Sequence, residues 1–235
     1  MPESAPRLQD PAAPSFPGDL LLAAGAARAL LRPRAGGRVA RLWLATPQHE
    51  AVEVLHPYDA PDVDPLRWAK GGIYPLVPYS NRIAQARLRT PDGTVALAAH
   101  PDAAPHTLHG PAHGLPWQTE QAGPAHAVLA LDSPASPAWP GRYRVTQDIR
   151  LTPDSLSLRL QFTNLEPRVL PAGLGFHPYF RHRPSARLRY RAAWAWDRSD
   201  DFLATGARPL PESATLAAPA ALPPGTLTDY FSGWS

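Results

Sequence analysis

Arg142-Tyr143-Arg144-Val145-Thr146-Gln147-Asp148-Ile149-Arg150-Leu151, then Thr152-Pro153-Asp154-Ser155, then Leu156-Ser157-Leu158-Arg159-Leu160-Gln161-Phe162 is the stretch that decides the fold class. Its first part puts Tyr143, Val145, Gln147, Ile149 and Leu151 on one side of an extended chain. Its last part does the same with Leu156, Leu158, Leu160 and Phe162. A period of two belongs to a strand with one buried face, because successive side chains point to opposite sides of a sheet. Thr152–Ser155 is turn chemistry: proline presets φ, and short polar side chains bond back to nearby backbone. The stretch predicts an antiparallel hairpin.

Outward from it the same grammar repeats. Pro91-Asp92-Gly93 separates Arg82–Arg89 from Thr94–Ala99, and Gly123-Pro124 separates Trp117–Gln121 from Ala127–Leu131. Gly36-Gly37 separates Ala27–Arg32 from Val39–Ala45. Each is a hairpin signal. Ala23–Leu31 and Ala192–Trp196 are alanine-rich, but no capped amphipathic stretch of helical length occurs. Arg181–Arg191 alternates as a strand with a solvated arginine face, and the proline-rich stretch Pro209–Pro224 reads as a long loop. The expected class is all-β and antiparallel. Residues 1–19, rich in Pro, Ala and Ser, read as a flexible tail, and residues 20–235 as one β domain.

Composition agrees. The chain has 235 residues, 44% hydrophobic, with 31 prolines and no cysteine. A globule of this size buries roughly 70% of its unfolded surface and needs no covalent staples. Without cysteine there is no disulfide scaffold, thiolate nucleophile or cysteine metal site. A formal charge of +3 does not point to nucleic acid, and no nucleic-acid motif accompanies the arginine run. Leu20–Leu31 carries Arg28 and is too short to span a bilayer. It also lacks the basic lead of a signal peptide, so the expectation is a cytoplasmic protein with no membrane partner. No feature assigns an oligomeric state.

Chemistry-bearing residues gather in three loops. Gly71-Gly72-Ile73-Tyr74-Pro75-Leu76-Val77-Pro78-Tyr79-Ser80-Asn81-Arg82-Ile83 offers an arginine fork and an amide beside aromatic rings, the donors a sugar needs. Taken alone, it reads better as a structural loop with a surface arginine. His106-Thr107-Leu108-His109-Gly110-Pro111-Ala112-His113 holds three histidines, but no carboxylate at ligand spacing and no helix to align them. One histidine lining a polar pocket, with the others solvent-exposed, is the expectation. In Gly173-Leu174-Gly175-Phe176-His177-Pro178-Tyr179-Phe180, His177 is framed by aromatics. Partial burial would set it near neutrality for proton transfer, though a core histidine bonded to a backbone carbonyl fits as well.

In their order, Pro78-Tyr79-Ser80-Asn81-Arg82-Ile83, Leu108-His109-Gly110, Asn164, His177-Pro178-Tyr179-Phe180 and Thr228-Asp229-Tyr230-Phe231 resemble the aldose 1-epimerase (galactose mutarotase) family over residues 20–235. The resemblance implies an antiparallel β-supersandwich with an open sugar cleft, and a cofactor-free, metal-free reaction on a small-molecule sugar. It implies that His177 is the general acid, that Arg82 and His109 bind sugar oxygens, that Asp229 binds a hydroxyl, and that Asn81 supports them. The family's general base is a glutamate well beyond the Asp229 motif. Ser235 lies six residues past Asp229, and none of Glu3, Glu50, Glu53, Glu120, Glu166 and Glu212 sits in the base motif. The expectation is a sandwich short of its last strands. Its activity is then weak or absent, or the chain is a non-catalytic carbohydrate-binding protein or a truncated fragment.

Overall fold

The computed structural model describes residues 14, 16–47, 50–60, 70–212, 216–222 and 228–235. Among the described residues the regular structure is almost all strand, and the helical content is single 3-10 turns. It divides into two compact units, one ending at Arg181 and one running from His182 to Ser235.

In the first unit, β1 (Leu20–Ala24), β2 (Ala27–Arg32), β3 (Arg38–Ala45), β4 (Ala51–Glu53) and β5 (Ile73–Leu76) build one antiparallel sheet, with β4 and β5 sharing the far side of β3. The alanine-rich Ala23–Leu31 is therefore a hairpin that turns at Gly25, since tertiary pairing overrides alanine's helix preference. Arg82–Ile83 forms β6, Arg87–Thr90 β7, Gly93–Ala96 β8 and Thr107–Leu108 β9. The β7–β8 hairpin forms around Pro91-Asp92-Gly93 but is shorter than the pattern predicts. Arg82 and Ile83 instead pair with Leu108 and Thr107. That change of partner brings the first two polar loops together.

β10 (Gln118–Ala122), β11 (His126–Ser133), β12 (Tyr143–Leu151) and β13 (Leu156–Asn164) form a four-stranded meander, and β14 (Gly175–Pro178) closes the first sheet against β5. The defining hairpin is present in the expected register: Tyr143 faces Asn164 and Leu151 faces Leu156. Tyr143, Val145, Gln147, Ile149 and Leu151 are all buried, and the residues between them are more exposed. The four apolar ones, Tyr143, Val145, Ile149 and Leu151, join Leu22, Ala29, Leu31 and Val39 of the other sheet in one apolar core, against which Leu156, Leu158, Leu160 and Phe162 pack. Burying a valine or isoleucine this fully contributes roughly 1.5–3 kcal/mol. The outward face is polar: Arg144 reaches Asp132 and Glu120, and Arg150 reaches Asp148. β10, an edge strand, exposes Gln-Thr-Glu-Gln-Ala, which discourages edge-to-edge pairing.

Of the expected tail, residues 1–13 and 15 lie outside the described residues. Phe16–Asp19 makes a turn in which Asp19 accepts from the Phe16 N–H at 3.1 Å and meets Arg32 at 3.4 Å.

In the second unit, β15 (Arg187–Tyr190) pairs with β18 (Leu216–Ala221), and β16 (Ala192–Arg198) lies between β17 (Ala204–Pro209) and β19 (Tyr230–Trp234). Pro209–Pro224 is thus not wholly loop, because Leu216–Ala221 inside it is a paired strand. The arginines at 187 and 189 are exposed, but so is Leu188 between them, so the expected contrast between the two faces is not seen in this strand. Among the described residues no helix is long and apolar enough to cross a membrane.

Candidate active site

β5 and β14 run antiparallel with Tyr74 opposite His177. Tyr74 is 2% exposed, and its ring lies 5.2 Å from the His177 imidazole at 17° between planes. Tyr179, two residues on and therefore on the same side of the extended chain, stacks on His177 at 4.7 Å. Hydrogen bonds from the Tyr179 N–H to Gly72 and from the His56 N–H to Tyr179 continue the ladder and fix this ring. The aromatics flanking His177 in sequence are thus a wall that orients it. Burial pushes His177 below its ordinary imidazole value.

The β6–β9 ladder delivers the other groups. Asn81 and His109 bond reciprocally: the Asn81 N–H donates to His109 Nδ1 at 2.9 Å, and the His109 N–H donates to the Asn81 carbonyl at 2.9 Å. With Nδ1 an acceptor, the neutral ring carries its proton on Nε2, so His109 is a directed N–H donor. Burial first, then the fields of His177, His113 and Arg82, lower its pKa to about 3. The His109 ring stands edge-on to His177 at 5.6 Å. Arg82 follows Asn81, with Nη1 3.5 Å from Asn81 Oδ1. Four of the five positive-φ non-glycine residues described, Asn81, Gln85, Ala86 and His109, lie on or beside this ladder. For residues with a Cβ such backbone costs about 1 kcal/mol or more, and it clusters where surroundings over-determine a functional geometry.

Gly110 makes the arrangement possible. At φ +66° a Cβ there would sit 2.1 Å from the Val77 carbonyl oxygen, so only glycine lets the His109 loop close on the Val77–Pro78 segment. Tyr79 Oη bonds to Thr107 Oγ1 at 2.6 Å from the same side.

Two expectations for the histidine loop are corrected. His106 is 1% exposed and accepts from the Gln85 N–H at 2.9 Å, and His113 is half-buried with its ring 5.3 Å from Tyr74. Neither is a solvent-facing neighbour, because the β6–β9 pairing folds the loop inward. Burial, then Arg38, lowers the His113 pKa to about 4. Among the described residues no group of three or more histidine or acidic side chains could hold a metal ion.

Asn81, Arg82, His109 and His177 thus form one connected cluster in the first unit. Asp229 belongs to the second unit, exposed just ahead of β19. Glu166 is engaged elsewhere, accepting from the Arg142 N–H and Nε at 2.8 and 3.0 Å. The residue that sequence reasoning passes over is Arg38, 0% exposed behind Tyr74. Its one signal was an arginine opening a largely apolar strand after Gly36-Gly37.

Residues 19–230 match the family model described as aldose 1-epimerase. An uncharacterized protein, YphB of Escherichia coli strain K12, is 30% identical over 163 residues, 69% of this chain. The chain spans about 55% of that relative's length. The crystal structure of a putative aldose 1-epimerase from E. coli K12 superposes with TM-score 0.76 at 25% identity, over 92% of this chain and 70% of that one. The Caenorhabditis elegans GalM/aldose epimerase homologue, 18% identical, superposes at 0.74 over 87% of this chain and 65% of its own, a likeness of fold. The polar loops, the antiparallel sandwich and the matched span agree: this chain belongs to the aldose 1-epimerase family.

Proposed function

We propose that the chain binds an aldohexose at the His177–His109–Arg82 cluster and interconverts its α and β anomers by acid–base ring opening. The observation that carries this reading is the pair of imidazoles at 5.6 Å, one packed against Tyr74 and Tyr179 and the other held in a single tautomer by Asn81. His177 gives a proton to the ring oxygen as the C1–O5 bond breaks and its electron pair passes to O5. The anomeric hydroxyl loses its proton to a base, and its oxygen forms the C1 carbonyl. Rotation about C1–C2 and reversal of the steps return the other anomer and restore His177. His109 Nε2–H and the Arg82 fork donate to sugar oxygens, and Asn81 holds His109. No residue is assigned as the base. A general acid–base group contributes on the order of 10²–10⁴-fold, so the expected rate is low for the family.

Polarimetry of freshly dissolved α-glucose and α-galactose tests this. The expected result is a rate above buffer that falls at least about 10²-fold on His177→Ala. An unchanged rate in that variant sinks the assignment. Saturable sugar binding by ligand-observed NMR, lost in Arg82→Ala but without turnover, would establish a carbohydrate-binding protein instead.

A further inference from the structure

Arg38 opens β3 and is 0% exposed. Its Nη1 donates to the Gly71 carbonyl at 2.7 Å. Its Cζ lies 4.2 Å from the Tyr58 ring and 4.4 Å from the Tyr74 ring, a guanidinium held between two π faces. The Tyr74 ring, like that of Tyr179, lies near-parallel to His177. A full positive charge thus stands one aromatic ring behind the imidazole, rigidly placed by two rings and a carbonyl.

We propose that Arg38 is a positioning residue for His177: it clamps the Tyr74 ring against which the imidazole packs, and its fixed charge opposes protonation of that imidazole, sharpening it as a proton donor. This rests on the reading of His177 as the acid of ring opening. The groups that face His177 are Tyr74 from β5, Tyr179 after β14 and His109 after β9, with His113 on Tyr74 and Arg82 acting on His109. Burial holds the two histidines neutral and burial holds Tyr74 protonated, and Arg82 acts on His109, so the charge that bears on His177 itself is that of Arg38. Burial and then the Arg38 charge are what lower His113, and both act on His177 in the same direction. The Arg38 guanidinium itself is lowered to about 10 by its own burial and stays charged at neutral pH.

The guanidinium carbon and the imidazole are at most about 9.6 Å apart, the two ring separations laid end to end. Coulomb's law at an effective dielectric between ~80 and ~20 then gives a displacement of roughly 0.3 to 1.3 pH units in the His177 midpoint. The experiment is a side-chain ¹⁵N NMR titration of His177 in the full chain, with polarimetry at each pH, for wild type, Arg38→Met and Arg38→Lys. In Arg38→Met the His177 midpoint should rise by about 0.3 unit or more. In Arg38→Lys, which keeps charge but loses the planar fork, it should stay at the wild-type value. kcat should fall roughly 10-fold in both, with KM little changed, as expected for a misplaced acid. A folded Arg38→Met chain with an unmoved midpoint overturns the electrostatic role. If that variant does not fold, Arg38→Lys decides: wild-type kcat overturns the positioning role, and reduced kcat with the midpoint held supports it. Absence of mutarotation in every chain removes the activity reading, while the NMR midpoints still report on Arg38.

Discussion

Lowering the pH from 8 to 5 should destabilise the first unit through histidines folded neutral. His109 and His113 have native pKa values of about 3 and about 4, against 6.5 for an exposed imidazole. Between those values the unfolded chain binds more protons than the folded one, so stability is fully present above about pH 6.5 and shrinks as the pH falls. At pH 5 each unfolded imidazole gains about 2 kcal/mol from protonation that the folded one cannot take up, so the pair loses about 4 kcal/mol. This figure depends mainly on the unfolded value, because both native values lie well below 5. His100 and His177 are also lowered, by burial first, and add loss of the same sign. Asp59 and Asp148, whose carboxyls lie below the usual range, lose their contribution only under about pH 5. The window from 8 to 5 therefore isolates the histidines. Against a typical domain stability of about 5–15 kcal/mol the loss is large. Urea unfolding followed by tryptophan fluorescence at pH 8, 7, 6 and 5 measures it, with His113→Gln expected to reduce the loss at pH 5 by about 2 kcal/mol. A stability equal within about 1 kcal/mol at pH 8 and pH 5, or a His113→Gln loss identical to wild type, would refute the reasoning.

Two further outcomes test the packing. Gly110→Ala forces a Cβ to within 2.1 Å of the Val77 oxygen at a φ of +66°, and urea melts should show a loss of at least about 2 kcal/mol together with weakened sugar binding. Gln147 is 0% exposed in the apolar core, and neither its Oε1 nor its Nε2 has a hydrogen-bond partner among the described residues. Gln147→Leu should therefore raise stability by about 1–2 kcal/mol, and a destabilised variant would show that the amide is satisfied in solution.

Most of the first unit could be read before folding. Alternation in Tyr143–Leu151 named the buried face, and the glycine and proline turns located three of its other hairpins. The misreadings share one cause. Leu216–Ala221 lies in a proline-rich stretch whose composition suits a loop, and it becomes a strand only because a partner strand takes up its backbone hydrogen bonds. Arg82–Ile83 likewise looked like the start of the β7 hairpin, yet its partner is Leu108 and Thr107. The cluster containing Asn81, Arg82, His109 and His177 was legible as motifs. Tyr74, Tyr179 and His113 were visible only as members of those motifs, without roles.

The sequence by itself determined the class of structure and the identity of the polar residues, since periodicity, turn chemistry and short motifs are local properties of the chain. Tertiary structure decided which of them meet. The tautomer of His109 depends on an Asn81 N–H 28 residues away, and the face of His177 depends on a tyrosine from another strand. The burial of Arg38 depends on rings contributed by Tyr58 and Tyr74. Dielectric, hydrogen-bond direction and ring stacking are set by neighbours remote in sequence, and these quantities turn a histidine or an arginine from a surface residue into part of a site.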